Sequence, residues 1–235
     1  CGSKTCQNPN VLNIDWSVSL IIRKNFFLRI LLSKFLSKER QNNFRKLSNN
    51  IIVYDLQKGL PYENNSVDAV YHSHLLEHID RSMVKNFLLE IFRVLKPDGV
   101  QRIVVPDLYY LCKSYVENHE KCIQRDQIIK NHDNYVAAIL EQSVRKEAYG
   151  SSKQNKILRK IENFILGDAR KRGETHQWMY DSVNLKSILE EVGFKNIKVQ
   201  TFSTSYIINW NKYGLDLDKE NKEYKNGSLY IEAKK

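Results

Sequence analysis

The sequence predicts an α/β fold: a doubly wound sheet, mostly parallel, with a closing antiparallel strand and a helical insertion. Three observations carry this. Short apolar runs alternate with stretches of helical periodicity, the pattern that builds parallel sheets. Val100 to Val105 is a nearly continuous apolar run, as in a strand covered on both faces. Several runs end in polar residues, and in open parallel sheets ligands bind beyond the carboxyl ends of the strands.

In chain order, Val11 to Asp15 reads as a short strand ending in an acid. From Ser19 to Phe35 the residues Leu20, Ile21, Ile22, Phe26, Phe27, Ile30, Leu31, Leu32 and Phe35 recur at helical spacings, interrupted by Arg23, Lys24, Arg29 and Lys34. This is an amphipathic helix with a strongly apolar face. Ile51 to Asp55 is a second strand ending in Asp, and Val67 to Ser73 a third. Ser82 is the expected N-cap of a helix carrying Val84, Phe87, Leu88, Ile91, Val94 and Leu95 on one face, stopped by Lys96-Pro97-Asp98-Gly99. Residues 108–180 read as a mostly helical, polar cap. Asp181-Ser182 opens a helix with Leu185, Ile188, Leu189 and Val192, and Gly193 ends it. Phe194 to Phe202 and Ser228 to Ala233 read as two closing strands, joined by a charged loop, 209–227, expected to be mobile. The whole of 1–235 is read as one domain, with 19–48 a basic amphipathic helical insertion.

The 235 residues, 42% hydrophobic and 11% aromatic, exclude a globally disordered chain. No stretch of about 18 apolar residues occurs, so no spanning helix is expected. The first ten residues are polar, without the apolar run of a secretory signal. Cysteines at 1, 6, 112 and 122 form no CxxC pair; reduced thiols in a cytoplasmic protein are expected. The sequence opens with Cys1 rather than Met, and a fragment is expected.

The net charge is +10 and uneven: residues 21–50 hold eight Lys/Arg against the single acid Glu39. Two readings of the helix at 19–38 stay open. It covers the sheet or an oligomer contact with its charges solvated, or it docks on an anionic membrane surface. No RNA-recognition motif accompanies the basic residues, so nucleic acid is not the expected partner. Nothing in the sequence states an oligomeric order.

The segment from Asn50 to Leu108 resembles the class I methyltransferases of the type 11 family. The pieces are Asp55-Leu-x-x-Gly-Leu-Pro61, Val67-Asp-Ala-Val70, His74-Leu-Leu-Glu-His-Ile79, Arg93-Val-Leu-Lys-Pro97 and Arg102-Ile-Val-Val-Pro-Asp107. Together, in this order and spacing, they are specific where each alone is weak. Asp98 stands where the commoner motif has Gly, a change that Asp tolerates in turns. The resemblance implies a Rossmann-like sheet, S-adenosylmethionine as cofactor, and a set of cofactor positions. Asp15 would accept from the ribose hydroxyls, with Trp16 against the adenine. Asp55 and Leu56 would lie beside the adenine ring. His72 and Ser73 would pass their backbone by the methionine part. Gly2 and Ser3 are similar to the tail of the family's glycine-rich turn, whose beginning and preceding central strand are expected upstream of Cys1. A chain truly starting at Cys1 is expected to have weak or no activity.

Methyl transfer from a sulfonium needs chiefly an aligned acceptor, and a hydroxyl acceptor gains from a base titrating near neutrality. The candidate bases are His72, His74 and His78, around the end of the Val67–Ser73 run, and His176 in Thr175-His-Gln-Trp-Met-Tyr180, a stretch similar to one in polysaccharide-associated relatives; of these, His78, beside Glu77, and His176 are the catalytic candidates. His78 also reads as a structural anchor of its loop. Some relatives, the quinone and small-RNA methyltransferases, hold a divalent ion with Glu-x-x-Glu-His. Here His74 takes the first place, so that His74, Glu77, His78 and His176 form a ligand set only in principle, and no metal is expected. The expected reaction is O-methylation of a small molecule or saccharide by a cytoplasmic enzyme, with surface-polysaccharide assembly as its setting. RNA or quinone methylation, and a non-catalytic scaffolding role, are the alternatives.

Overall fold

A computed structural model of the protein describes residues 5–15, 51–124, 131–143 and 175–235. Gly2, Ser3, Trp16 and the basic insertion at 19–48 lie outside the described residues, as does much of the second half of the 108–180 cap. The elements in chain order are β1 (Asn13–Asp15), β2 (Ile51–Val53), β3 (Val67–Ser73), α1 (Arg81–Val94), β4 (Leu95–Pro106), α2 (Leu108–Gln124), α3 (His132–Gln142), α4 (Ser182–Val192), β5 (Lys195–Gln200) and β6 (Ser228–Lys234). No described helix is long and apolar enough to cross a membrane.

The larger sheet runs β3-β4-β6-β5, and β1 pairs with β2 in a separate two-stranded sheet. Both β1–β2 and β3–β4 are parallel. β6 is antiparallel to both of its neighbours. The expected antiparallel strand is therefore present, but it lies inside the sheet, with β5 closing the edge.

Alternation along β4 and β6 sorts the sheet into two faces. Ile103 and Val105 of β4, with Leu229, Ile231 and Ala233 of β6, join Val84, Leu88 and Ile91 of α1 and Leu185, Leu189 and Val192 of α4 in the main core. On the opposite face Arg102 is fully buried; it donates to Asp216 at 2.8 Å and Glu232 at 2.8 Å. The nearly continuous apolar strand expected at 100–105 thus carries a buried cation. Asp216 anchors the 209–227 loop, in which Trp210, Leu215 and Leu217 are buried. This corrects the expectation of a mobile loop: its apolar residues and one acid cover the back of the sheet. Cys6 and Val11 join Trp210, Leu215 and Tyr71 in a second cluster there, so the segment before β1 packs on the larger sheet.

Three local signals resolve differently from expectation. α1 is capped by Asp80, whose side chain accepts the Ser82 amide, because an Asx acceptor sits two residues ahead of the Ser. Lys96-Pro97-Asp98-Gly99 does not separate the helix from the strand; the four residues bulge out within β4, where the register jumps from Val67↔Leu95 to Ala69↔Val100. Asp98 takes φ 62°, and a Cβ on Gly99 would lie 2.8 Å from the Lys96 carbonyl oxygen. The strands at β1, β2 and β5 are shorter than their apolar runs. Elsewhere expectation and structure agree: Asp181 and Asn184 form a capping box on α4, and Gly193 ends it at φ 107°.

Candidate active site

β3 delivers the site. His74 N–H extends the parallel ladder to the Val104 carbonyl at 2.8 Å. His74 then turns into the left-handed region, φ 50°, and the chain leaves the sheet for a short 3-10 helix, Leu76–His78. Leu76 is wholly buried in the main core, which fixes how Glu77 and His78 follow it. The Glu77 carbonyl accepts the Gln177 amide at 2.6 Å, and the Leu108 amide donates to the Tyr180 carbonyl at 2.9 Å. These bonds lay 175–180 across the ends of β3 and β4. His176 thereby meets His78 edge to face, ring centroids 4.7 Å apart.

Both rings are oriented by backbone carbonyls. Nδ1 of His78 lies 3.2 Å from the Thr175 oxygen, and Nδ1 of His176 lies 2.9 Å from the Gln142 oxygen. A carbonyl only accepts, so Nδ1 carries the proton in each ring and Nε2 keeps its lone pair. Nε2 of His78 lies 4.0 Å from Oε1 of Glu77. Burial holds the His78 imidazole below its ordinary range, aided by the His176 and His74 rings and opposed by the Glu77 charge and the Thr175 bond. It is therefore neutral and basic at neutral pH.

Glu77 is 1% exposed. Nδ1 of His74 pairs with Oε1 at 3.2 Å. Burial pushes the Glu77 carboxyl up, but the adjacent His74, then His78 and its own backbone amide, outweigh it and hold the group below the usual range. His74 is held from behind by Ser228, Nε2 to Oγ 3.2 Å. Lys225 also feels the Glu77 charge, while its own burial lowers its ammonium. Nothing in the sequence points to Lys225 or Ser228; Ser228 opens β6 and Lys225 lies in the loop before it. Asp107, at the end of β4, caps α2 through the Tyr109 amide at 3.0 Å and lies outside this group.

Of the cofactor candidates, Asp15, Asp55, Leu56, His72 and Ser73 are among the described residues, at or just beyond strand ends. Asp15 ends β1 and Asp55 follows β2; the Tyr54 amide donates to the Asp15 carbonyl at 3.1 Å, so the two acids are neighbours. Both are half-buried, as is Leu56, which opens the 3-10 helix Leu56–Lys58. His72 and Ser73 end β3, both buried. The His72 ring packs on Phe87 of α1, centroids 5.6 Å apart, so its side chain belongs to the core and only its backbone is left for a ligand.

Residues 31–103 match the family model described as a methyltransferase domain. The match spans 73 of the 235 residues. No curated protein matches the chain. Among solved structures, it is similar to a SAM-dependent methyltransferase from Archaeoglobus fulgidus, 16% identical over 89% of this chain and 80% of that one, TM-score 0.38. It is also similar to a SAM-dependent methyltransferase from Thermotoga maritima, 16% identical over 85% and 70%, TM-score 0.40. A third, from Mesorhizobium loti, is 14% identical over 85% and 78%, TM-score 0.36. The cofactor of these three solved proteins is S-adenosylmethionine. The described residues fit it: Asp15 and Asp55 are half-buried carboxylates at the carboxyl ends of adjacent parallel strands, and acceptor-only groups suit a ribose diol and an exocyclic amine.

Proposed function

We propose that this methyltransferase methylates a hydroxyl of a small molecule or saccharide, and that His78 and His176 together activate that hydroxyl. The observation that carries this is the convergence of the His78 and His176 rings and the Glu77 carboxylate beyond the end of β3, with one ligand atom of each within 4.8 Å of the others. S-adenosylmethionine supplies the electrophilic methyl group. Asp15 and Asp55 orient the donor through its ribose and adenine. His78 or His176 accepts the hydroxyl proton at Nε2, while the Nδ1 bonds to Thr175 and Gln142 keep each ring in place. The Glu77 charge stabilises the imidazolium that forms. The proton thus moves within a group that the fold has already assembled, and positioning supplies most of the remaining acceleration.

The test is calorimetric titration of the full-length protein with S-adenosylmethionine, followed by label transfer from methyl-tritiated donor to hydroxylated acceptors. His176→Ala is expected to leave donor affinity within twofold and to lower turnover by about 100-fold or more. Equal turnover in His176→Ala and wild type refutes the assignment.

A further inference from the structure

We propose that Arg81 and Trp178 form the subsite for the body of the acceptor, and that the acceptor is a saccharide with an anionic group, a carboxylate or a phosphate, near the hydroxyl that is methylated. This rests on the reading above that the hydroxyl meets His78 and His176.

Both residues flank that histidine pair. Arg81 opens α1, three residues after His78. Trp178 follows His176 by two residues, and its amide lies 3.4 Å from the Glu77 carbonyl oxygen. Chain geometry keeps such neighbours within about 7–10 Å of each other, which is within the reach of a mono- or disaccharide. Burial alternates along 175–178: Thr175 and Gln177 are buried, His176 is half-buried and Trp178 is exposed. His176 and Trp178 therefore share the open side of this segment, as residues two apart do in an extended chain.

The Arg81 guanidinium lies over the Trp178 ring, 4.9 Å from its centroid, and 5.7 Å from the centroid of Tyr180. Tyr180 is fully buried, so the core fixes one wall of this contact. Stacking uses the face of the guanidinium and orients it without neutralising its charge. Of its five N–H donors, at most one is engaged by the Tyr180 hydroxyl. The other two described arginines have carboxylate partners: Arg93 pairs with Glu90, and Arg102 with Asp216 and Glu232. Arg81 forms no ion pair among the described residues. A cation so oriented, beside the histidine pair and lacking an acid, is fitted to an anion that arrives with the ligand, since its planar fork matches a carboxylate or phosphate through two bonds. Trp178, 40% exposed, adds an apolar surface whose negative π cloud attracts the weakly positive C–H groups of a sugar ring. The Glu77 charge opposes an anionic acceptor, and half-buried Lys225 offsets it.

The full-length protein is assayed for label transfer from methyl-tritiated S-adenosylmethionine to glucose, galactose and mannose, each as the neutral methyl glycoside, the methyl uronide and the 6-phosphate. At least one charged form is expected to exceed its neutral counterpart tenfold or more in kcat/KM, and the uronide and phosphate arms tell the two anions apart. Arg81→Gln is expected to lower kcat/KM for that form at least tenfold, chiefly through KM, with donor affinity and melting temperature unchanged. Arg81→Lys, which keeps the charge but not the fork, is expected to fall between the two. Trp178→Leu is expected to raise KM about fivefold or more for charged and neutral forms. Neutral forms methylated as well as charged ones overturn the proposal, as does an Arg81→Gln protein with the wild-type preference or a Trp178→Leu protein with wild-type KM values. Transfer to no sugar, with donor binding intact, refutes the saccharide reading and the subsite with it; a protein that binds no donor refutes the methyltransferase reading.

Discussion

His72 should make this protein acid-sensitive by a calculable amount. Its ring is fully buried on the α1 side of β3, with neither nitrogen hydrogen-bonded among the described residues. Burial lowers its pKa from 6.5 to about 3, against a weaker upward pull from the Glu77 charge. The folded state therefore excludes a proton that the unfolded chain takes up below pH 6.5. Stability on this account is intact above 6.5 and falls as pH drops toward 3. Each pH unit in that window is worth about 1.36 kcal/mol per group, so the loss at pH 5 is about 2 kcal/mol. For a chain of this size that is a fall in Tm of about 4–8 °C.

The comparison that isolates it is His72→Leu, measured by urea unfolding from pH 8 to pH 5. The variant is expected to lack this part of the pH slope, since the other titrating groups, His78 included, remain in both proteins and cancel in the difference. It is also expected to be more stable at pH 8 by about 1 kcal/mol, because two unsatisfied buried nitrogens are replaced by an apolar side chain. Parallel stability–pH curves for the two proteins would refute the placement of the ring.

Asp15→Ala should weaken S-adenosylmethionine binding by about 1–3 kcal/mol, the usual loss for a hydrogen-bonded charged group; unchanged affinity by calorimetry removes Asp15 from the ribose site. Arg102→Met should destabilise by about 3–5 kcal/mol in urea, because Asp216 and Glu232 are then buried without their cation. A smaller loss in the triple variant with Asp216→Asn and Glu232→Gln would confirm the origin of that penalty. Asp181→Ala should cost about 1 kcal/mol through loss of the α4 cap, read as a lower urea midpoint at unchanged slope.

Elements written in short-range chemistry were legible. Val67–Ser73 was delimited by its apolar run, and α4 by Asp181 and Gly193, because caps and strand alternation depend on neighbours a few residues away. What depended on distant partners was not. Arg102 reads as an interruption in an apolar strand until Asp216, 114 residues on, is seen to hold it, and the same pairing turns an apparently mobile charged loop into the cover of a sheet face. The 209–227 composition is misleading because a few buried residues, Trp210, Leu215, Asp216 and Leu217, outweigh many exposed ones in deciding whether a loop is fixed.

The candidate site divides along the same line. His78 and His176 were recognisable as residue types suited to proton chemistry, but as two alternatives. The Gln177 amide on the Glu77 carbonyl makes them one group, and it does so through backbone atoms that any residue supplies. A sequence pattern carries no trace of such a bond. Nor does it show that His74, His78 and Lys225 gather around Glu77, since that is a property of the fold. What the motif leaves out is the company kept by the carboxylate: Nδ1 of His74 at 3.2 Å on one side and Nε2 of His78 at 4.0 Å on the other.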